Sequence, residues 1–219
     1  RRPLRRRRAG WSTVPGMKAI RRSLAPGLLL AAPQMGDPNF DRTVVLLARH
    51  DDDGALGWVL NGRALEPVGA LLTGAGLVPD GVTLPDEGPF ARPTRVGGPV
   101  SGATGWVLYR RDAGALPGEI DVGDALAVTG DLDALRHVMT TRDRDFRLLL
   151  GYAGWSADQL EGEGGSLWGG GGGGGVWFPA EVAPGLVLDV PADSLWDAAY
   201  HRVIGASPVA FTSTRGGSA

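Results

Sequence analysis

Three histidines, His50, His137 and His201, are the side chains best suited to acid–base or metal chemistry, and they stand far apart in the chain. None has a second ligand at the spacing of an H-x-x-x-H helix face, so no metal site is expected. The run from Arg49 to Gly54 carries three aspartates. A calcium loop, however, alternates its ligands and ends on a glutamate, whereas Trp58 and Gly62 stand at the positions where ligands should be. The run reads instead as a solvated hairpin turn. There is no cysteine, which excludes thiol catalysis, thiolate zinc and disulfides. No G-x-S-x-G elbow presents a serine, and Ser101, after Gly97-Gly98-Pro99-Val100, is the nearest imitation. The residues therefore spell out no catalytic set and no cofactor.

They do offer a set that could line a ligand pocket: Asp37, Asn61, Gly97, Gly98, Tyr152, Trp155 and Glu161. Asp37 opens the turn Asp37-Pro38-Asn39-Phe40, in which an Asp or Asn side chain bonds nearby backbone and Phe40 packs inward. Asn61 ends an apolar run, where an amide either fixes an irregular loop or orients a ligand. Gly97 and Gly98 either admit a ligand close to the backbone or form a turn between strands. Glu161 follows the aromatic segment Gly151 to Trp155, and with Asp37 it would make an acid–base pair if the fold brought the two together.

The elements that must position these residues read as follows. Gly27 to Ala32 is a continuous apolar run, expected as a first strand buried on both faces. Val44 to Ala48 and Ala55 to Leu60 form a hairpin through the Asp-Gly turn. Glu66 to Leu72 is a short helix, and Thr73 to Arg95 a long loop rich in Gly, Pro and Asp. Thr104 to Tyr109, Ala125 to Thr129 and Phe146 to Leu150 are further strands. Asp131 caps a helix that buries Leu132, Leu135 and Met139. Ser156 with Gln159 fits a capping box, so the strand ending at Leu150 is expected to deliver a helix through an aromatic turn. A last helix, Ser194 to Ile204, presents Leu195, Trp196, Ala199 and Val203 and stops at Gly205. Strands arriving partly as hairpins and partly alternating with helices imply a single α+β domain over residues 23–205 rather than a doubly wound one. Gly169 to Gly175 is a flexible insertion and not a phosphate loop, since no Lys-Ser or Lys-Thr follows it. Residues 206–219 are expected to be a disordered tail.

A net charge of −2 conceals an asymmetry: nine of the 22 basic residues lie in the first 22 positions, where there is no acid, leaving the rest at a formal −11. The first 22 residues read as a disordered basic arm, and Met17 followed by Lys18 as the native start. An acidic body repels phosphate backbones, so DNA contact would fall to that arm. The order basic, apolar, Ala-Ala-Pro from Met17 to Pro33 imitates a secretory leader, but Pro26 and Gly27 interrupt the apolar run. No stretch approaches the ~20 apolar residues that span a bilayer.

Several unlinked motifs share one order: Leu30 to Phe40, Thr43 to Leu47, Gly54 to Asn61, Gly97 to Val100, then Leu150 to Trp155 with Gln159 to Glu163. Together, over about Leu24 to Gly205, they resemble the AlgH/YqgE family of bacteria. The resemblance implies a compact α+β fold with a curved, barrel-like mixed or antiparallel sheet flanked by helices, in a cytoplasmic protein. Members are often labelled transcriptional regulators, yet neither a helix-turn-helix nor a zinc-finger pattern is present here. Where the family has Arg-Pro after the Asn of its hairpin, this chain has Gly62-Arg63, and the polyglycine run is an insertion. A regulatory or adaptor protein acting through a protein partner is the leading expectation. A small-molecule-binding protein or enzyme is the alternative.

Overall fold

The computed structural model describes residues 23–111, 115–123, 125–140, 145–164 and 176–205. The basic arm, the polyglycine run, the tail and the side chain of Met139 lie outside the described residues. β1 (Gly27–Ala31) runs antiparallel to β2 (Val44–Asp51), which returns into β3 (Gly54–Val59) with Asp51 opposite Gly54. The hairpin is as expected, but its two-residue turn is Asp52–Asp53, one position earlier than an Asp-Gly turn, and Gly54 already belongs to β3. Leu28, Leu30, Val44 and Leu46 enter one core cluster, while Leu29, Ala31, Val45 and Leu47 enter another on the opposite face. Burial on both faces is why these strands are apolar throughout instead of alternating.

The chain continues through β4 (Ala64–Pro67), α1 (Val68–Gly74), β5 (Pro93–Val96), β6 (Val100–Arg110), β7 (Ile120–Asp121) and β8 (Leu126–Thr129). It ends with α2 (Leu132–Thr140), β9 (Phe146–Ser156), α3 (Gln159–Gly164), β10 (Trp177–Ala180) and α4 (Leu195–Ile204). The strands form one sheet in the order β10-β1-β2-β3-β9-β6-β8-β7, with β4 on β5 and β5 parallel to β9. This is the expected α+β architecture, but β10 and β7 are two separate ends of an open sheet, not a closed barrel. The last helix is tied to the first strand: Trp196 Nε1 and Tyr200 Oη both donate to the Ala31 carbonyl, at 2.9 and 3.0 Å. Burial pushes the Tyr200 phenol above its ordinary range, so it remains a neutral donor.

Four further local expectations differ from the structure. Gly151 to Trp155 is not a turn but the second half of β9, and it pairs with β3 (Ala55 opposite Trp155). Gly151 has φ 74° and bends the strand in mid-course, which a sequence reader cannot tell from a turn. The first helix begins at Val68, with Pro67 at its N-cap and Glu66 in β4, because proline suits a helix start. The stretch from Thr73 to Arg95 also holds the end of α1, a 3₁₀ turn at Gly88–Phe90 and most of β5. In α2 the buried face is Ala134, Leu135 and Val138, with Leu132 exposed, and in α4 Tyr200 is buried where Val203 was expected. The α2 cap is as read: Asp131 Oδ1 accepts from the N–H groups of Asp133 and Ala134, both at 2.9 Å.

Candidate functional site

Three of the sequence motifs meet at one cleft of about 310 Å³. Its walls are Pro38 and Asn39 from the first turn, Gly62 and Arg63 after β3, and Gly98 and Pro99 before β6, over a floor of Val59 and Val96. The turn is built as its residues dictate: Asp37 Oδ1 accepts from the Asn39 N–H at 2.8 Å and from Asn39 Nδ2 at 3.0 Å. Asn61 then clamps the chain behind it. Its Oδ1 accepts from the Val44 N–H at 2.8 Å, and its Nδ2 donates to the Arg42 carbonyl at 2.9 Å. That clamp holds Arg42 at φ 52° with its guanidinium 4.9 Å from the Trp196 ring.

Glycine is required at the back of the cleft for close backbone packing. A Cβ on Gly98, whose φ is 152°, would lie 2.2 Å from the Tyr152 carbonyl, and one on Gly97 would lie 2.6 Å from the Gly151 oxygen. A Cβ on Gly151 would in turn meet the Gly98 oxygen at 2.7 Å. The two glycine motifs thus pack on each other. On the open side, Arg63 is exposed, and its guanidinium makes no ion pair or hydrogen bond among the described residues. It stands one position later than the arginine of the resembled pattern and still reaches the cleft wall.

The seven sequence-derived candidates divide among four places. Asp37, Asn61, Gly97 and Gly98 frame the cleft or support it. Tyr152 is half-buried against Trp106, with ring centroids 6.3 Å apart. Trp155 belongs to a buried aromatic cluster: it stacks on Phe40 at 5.8 Å and meets Trp177 edge-on at 6.0 Å.

Glu161 lies elsewhere, in a hollow of about 470 Å³ with Ser23, His50 and Asp51 to Asp53. Its Oε1 lies 3.1 Å from His50 Nε2, whereas Asp37 bonds within its own turn. The pairing of Glu161 with His50 spans 111 positions, and no local signal announces it. His50 Nδ1 accepts from the Leu24 N–H at 3.1 Å, so Nε2 carries the proton and donates to Glu161. With both ring nitrogens engaged, His50 has no free lone pair to take a proton from a substrate. No group of three or more His, Asp or Glu among the described residues could hold a metal ion. No helix of the described residues is long and apolar enough to cross a membrane.

An open, mainly antiparallel sheet with few helices, carrying a glycine-walled cleft, defines the class of fold. Residues 28–207 match the model of the AlgH-like family, and the chain belongs to that family. A UPF0301 protein of Anaeromyxobacter dehalogenans is 38% identical over 201 residues, covering 89% of this chain and 95% of its own. One from Myxococcus xanthus is 37% identical over 200 residues, covering 89% and 98%. The solution structure of the AlgH protein from Pseudomonas aeruginosa superposes with a TM-score of 0.64 at 26% identity, over 93% of this chain and all of that one. A crystal structure from Corynebacterium diphtheriae gives 0.59 at 19% identity over 85% and 90%, a likeness of fold alone.

Proposed function

We propose that the chain is a regulatory or adaptor protein that acts by binding a protein partner, and that the cleft between Asn39, Arg63 and Gly98 receives an extended, acidic segment of that partner. The observation that carries this is the exposed, unpaired Arg63 beside Asn39 in a groove whose other walls are glycine and proline. Glycine and proline walls leave backbone and ring surfaces open to a main chain, and a single guanidinium selects a carboxylate. The motif side chains with catalytic potential are meanwhile occupied in holding the fold: Asn61 bonds backbone, and Glu161 bonds His50.

The test is gentle co-purification from a bacterial lysate with the wild-type chain and with Arg63→Glu. A protein retained by the wild type and lost from the variant is the expected result, and identical protein partners on both would overturn the proposal. A volume of about 310 Å³ lies at the lower end for ligand pockets. A metabolite retained in place of a protein would therefore favour the small-molecule reading.

A further inference from the structure

A second cleft, of about 240 Å³, lies between β5, the start of β9 and the turn before α4. Parallel pairing of β5 with β9 sets Arg95 opposite Leu149, so that Arg95 and Arg147 both line it together with Arg92. The rest of the wall is largely apolar, including Val68, Phe146, Leu188 and Pro191. Burying two arginines in such a wall is costly unless each finds partners.

Arg147 finds them in the chain. Its Nε donates to the Val187 carbonyl at 2.8 Å, and its Nη2 to the carbonyls of Leu188 and Val190, at the end of the π-helical turn Gly185–Asp189. Burial first, and then the nearby Arg92 and Arg95, lower its pKa to about 10.

Arg95 is only partly satisfied. Its side chain is 9% exposed; Nη1 donates to the Gly62 carbonyl at 3.3 Å and forms an ion pair with Asp193 Oδ1 at 2.8 Å. The Nε and Nη2 edge, which grips a carboxylate side-on, has no hydrogen bond among the described residues. Asp193, whose side chain is 84% exposed, reaches this buried guanidinium from the solvent side. That contact holds its carboxyl below the ordinary range, so it stays ionised and competes for Arg95. Arg92 pairs with Asp145 at 2.5 Å, and Arg110 with Asp189 at 3.3 Å. Four guanidinium groups against three carboxylates leave one positive charge.

From this we infer that the cleft binds a small organic monoanion, a carboxylate with a compact apolar body, whose head pairs with the Nε and Nη2 edge of Arg95 while its body lies against Phe146 and Leu188. The site is separate from the Arg63 cleft and does not depend on that reading.

The test is a ¹H–¹⁵N titration of the full chain with benzoate, its neutral isostere benzamide, and inorganic phosphate. Benzoate is expected to give saturable shifts at the Arg95 and Arg147 Nε–H signals and the Leu148 amide, and benzamide none. Asp193→Asn keeps the size of an exposed side chain and removes the competing charge, so it should tighten benzoate binding about threefold or more. Arg95→Gln should weaken it by roughly tenfold or beyond. If Arg95→Gln fails to fold, the comparison of benzoate with benzamide on the wild type and on Asp193→Asn decides alone. Equal responses to benzoate and benzamide, no response to benzoate, tighter binding of phosphate, or an affinity unmoved by Asp193→Asn would each overturn the assignment.

Discussion

Trp155 and Trp177 donate their indole N–H groups to the same oxygen, Oε2 of Glu163, at 3.1 and 2.8 Å. One carboxylate on α3 thereby joins the end of β9 to β10, which sits on the far side of β1. Both indoles are buried, at 5% and 1% exposure, so neither donor has water as a substitute.

Replacing Glu163 by alanine should therefore orphan two buried donors and cost about 2–4 kcal/mol, whereas glutamine, which keeps one acceptor oxygen, should cost less. Denaturant unfolding monitored by tryptophan fluorescence separates the two variants. Equal stability of Glu163→Ala and wild type would show that the shared carboxylate holds nothing.

The packing of the two glycine motifs gives a sharper contrast. Gly98→Ala places a Cβ 2.2 Å from the Tyr152 backbone at a φ of 152°, and a destabilisation of at least about 3 kcal/mol, or failure to fold, is expected. Gly102→Ala meets nothing within 4 Å and should be tolerated. Thermal melts of the pair check this, and a stable Gly98→Ala would refute the close-packing role.

Asn61 tests whether the cleft depends on its clamp. Asn61→Ala leaves the Val44 N–H and the Arg42 carbonyl without their side-chain partner and should cost about 1–3 kcal/mol. Asn61→Asp restores the acceptor for Val44 but turns a second oxygen toward the Arg42 carbonyl, so it should recover only part of the loss. Equilibrium unfolding in urea gives both values.

Glu119 predicts an acid-side pH dependence. Burial alone would raise its pKa, but the Leu116 N–H, the Tyr109 hydroxyl and the Arg111 guanidinium outweigh it and hold the carboxyl below its ordinary value of 4.5. A lowered folded-state pKa means that the stabilisation is complete above that ordinary value and is lost as pH falls through the lower folded-state one. The melting temperature of Glu119→Gln should fall well below wild type at neutral pH, and the gap should narrow on acidification. A gap that stays constant with pH would contradict this.

How far the sequence reveals this molecule depends on the range of each interaction. The hairpin from Val44 to Leu60 and the Asp131 cap are legible because their signals lie within a few residues of one another. Gly151 is ambiguous, since a glycine at positive φ serves a turn and a bent strand alike. The cleft is half legible: its glycines and the Asp37 turn stand out, but Arg63 enters it only through the offset that follows β3. His50 on β2 meets Glu161 on α3 across 111 positions, and the register that sets Arg95 opposite Leu149 brings it to the same cleft as Arg147; neither neighbour is announced by a local signal.

β9 hydrogen-bonds with β3, β5 and β6 and lies inside the sheet with strand neighbours on both edges. Fraying from one side is thereby blocked, and the amides of Leu148 and Ala153 should exchange with solvent only when the entire molecule unfolds. A chain nicked near Gly151 would yield no self-sufficient fragment, because each piece would carry away a seam the other needs.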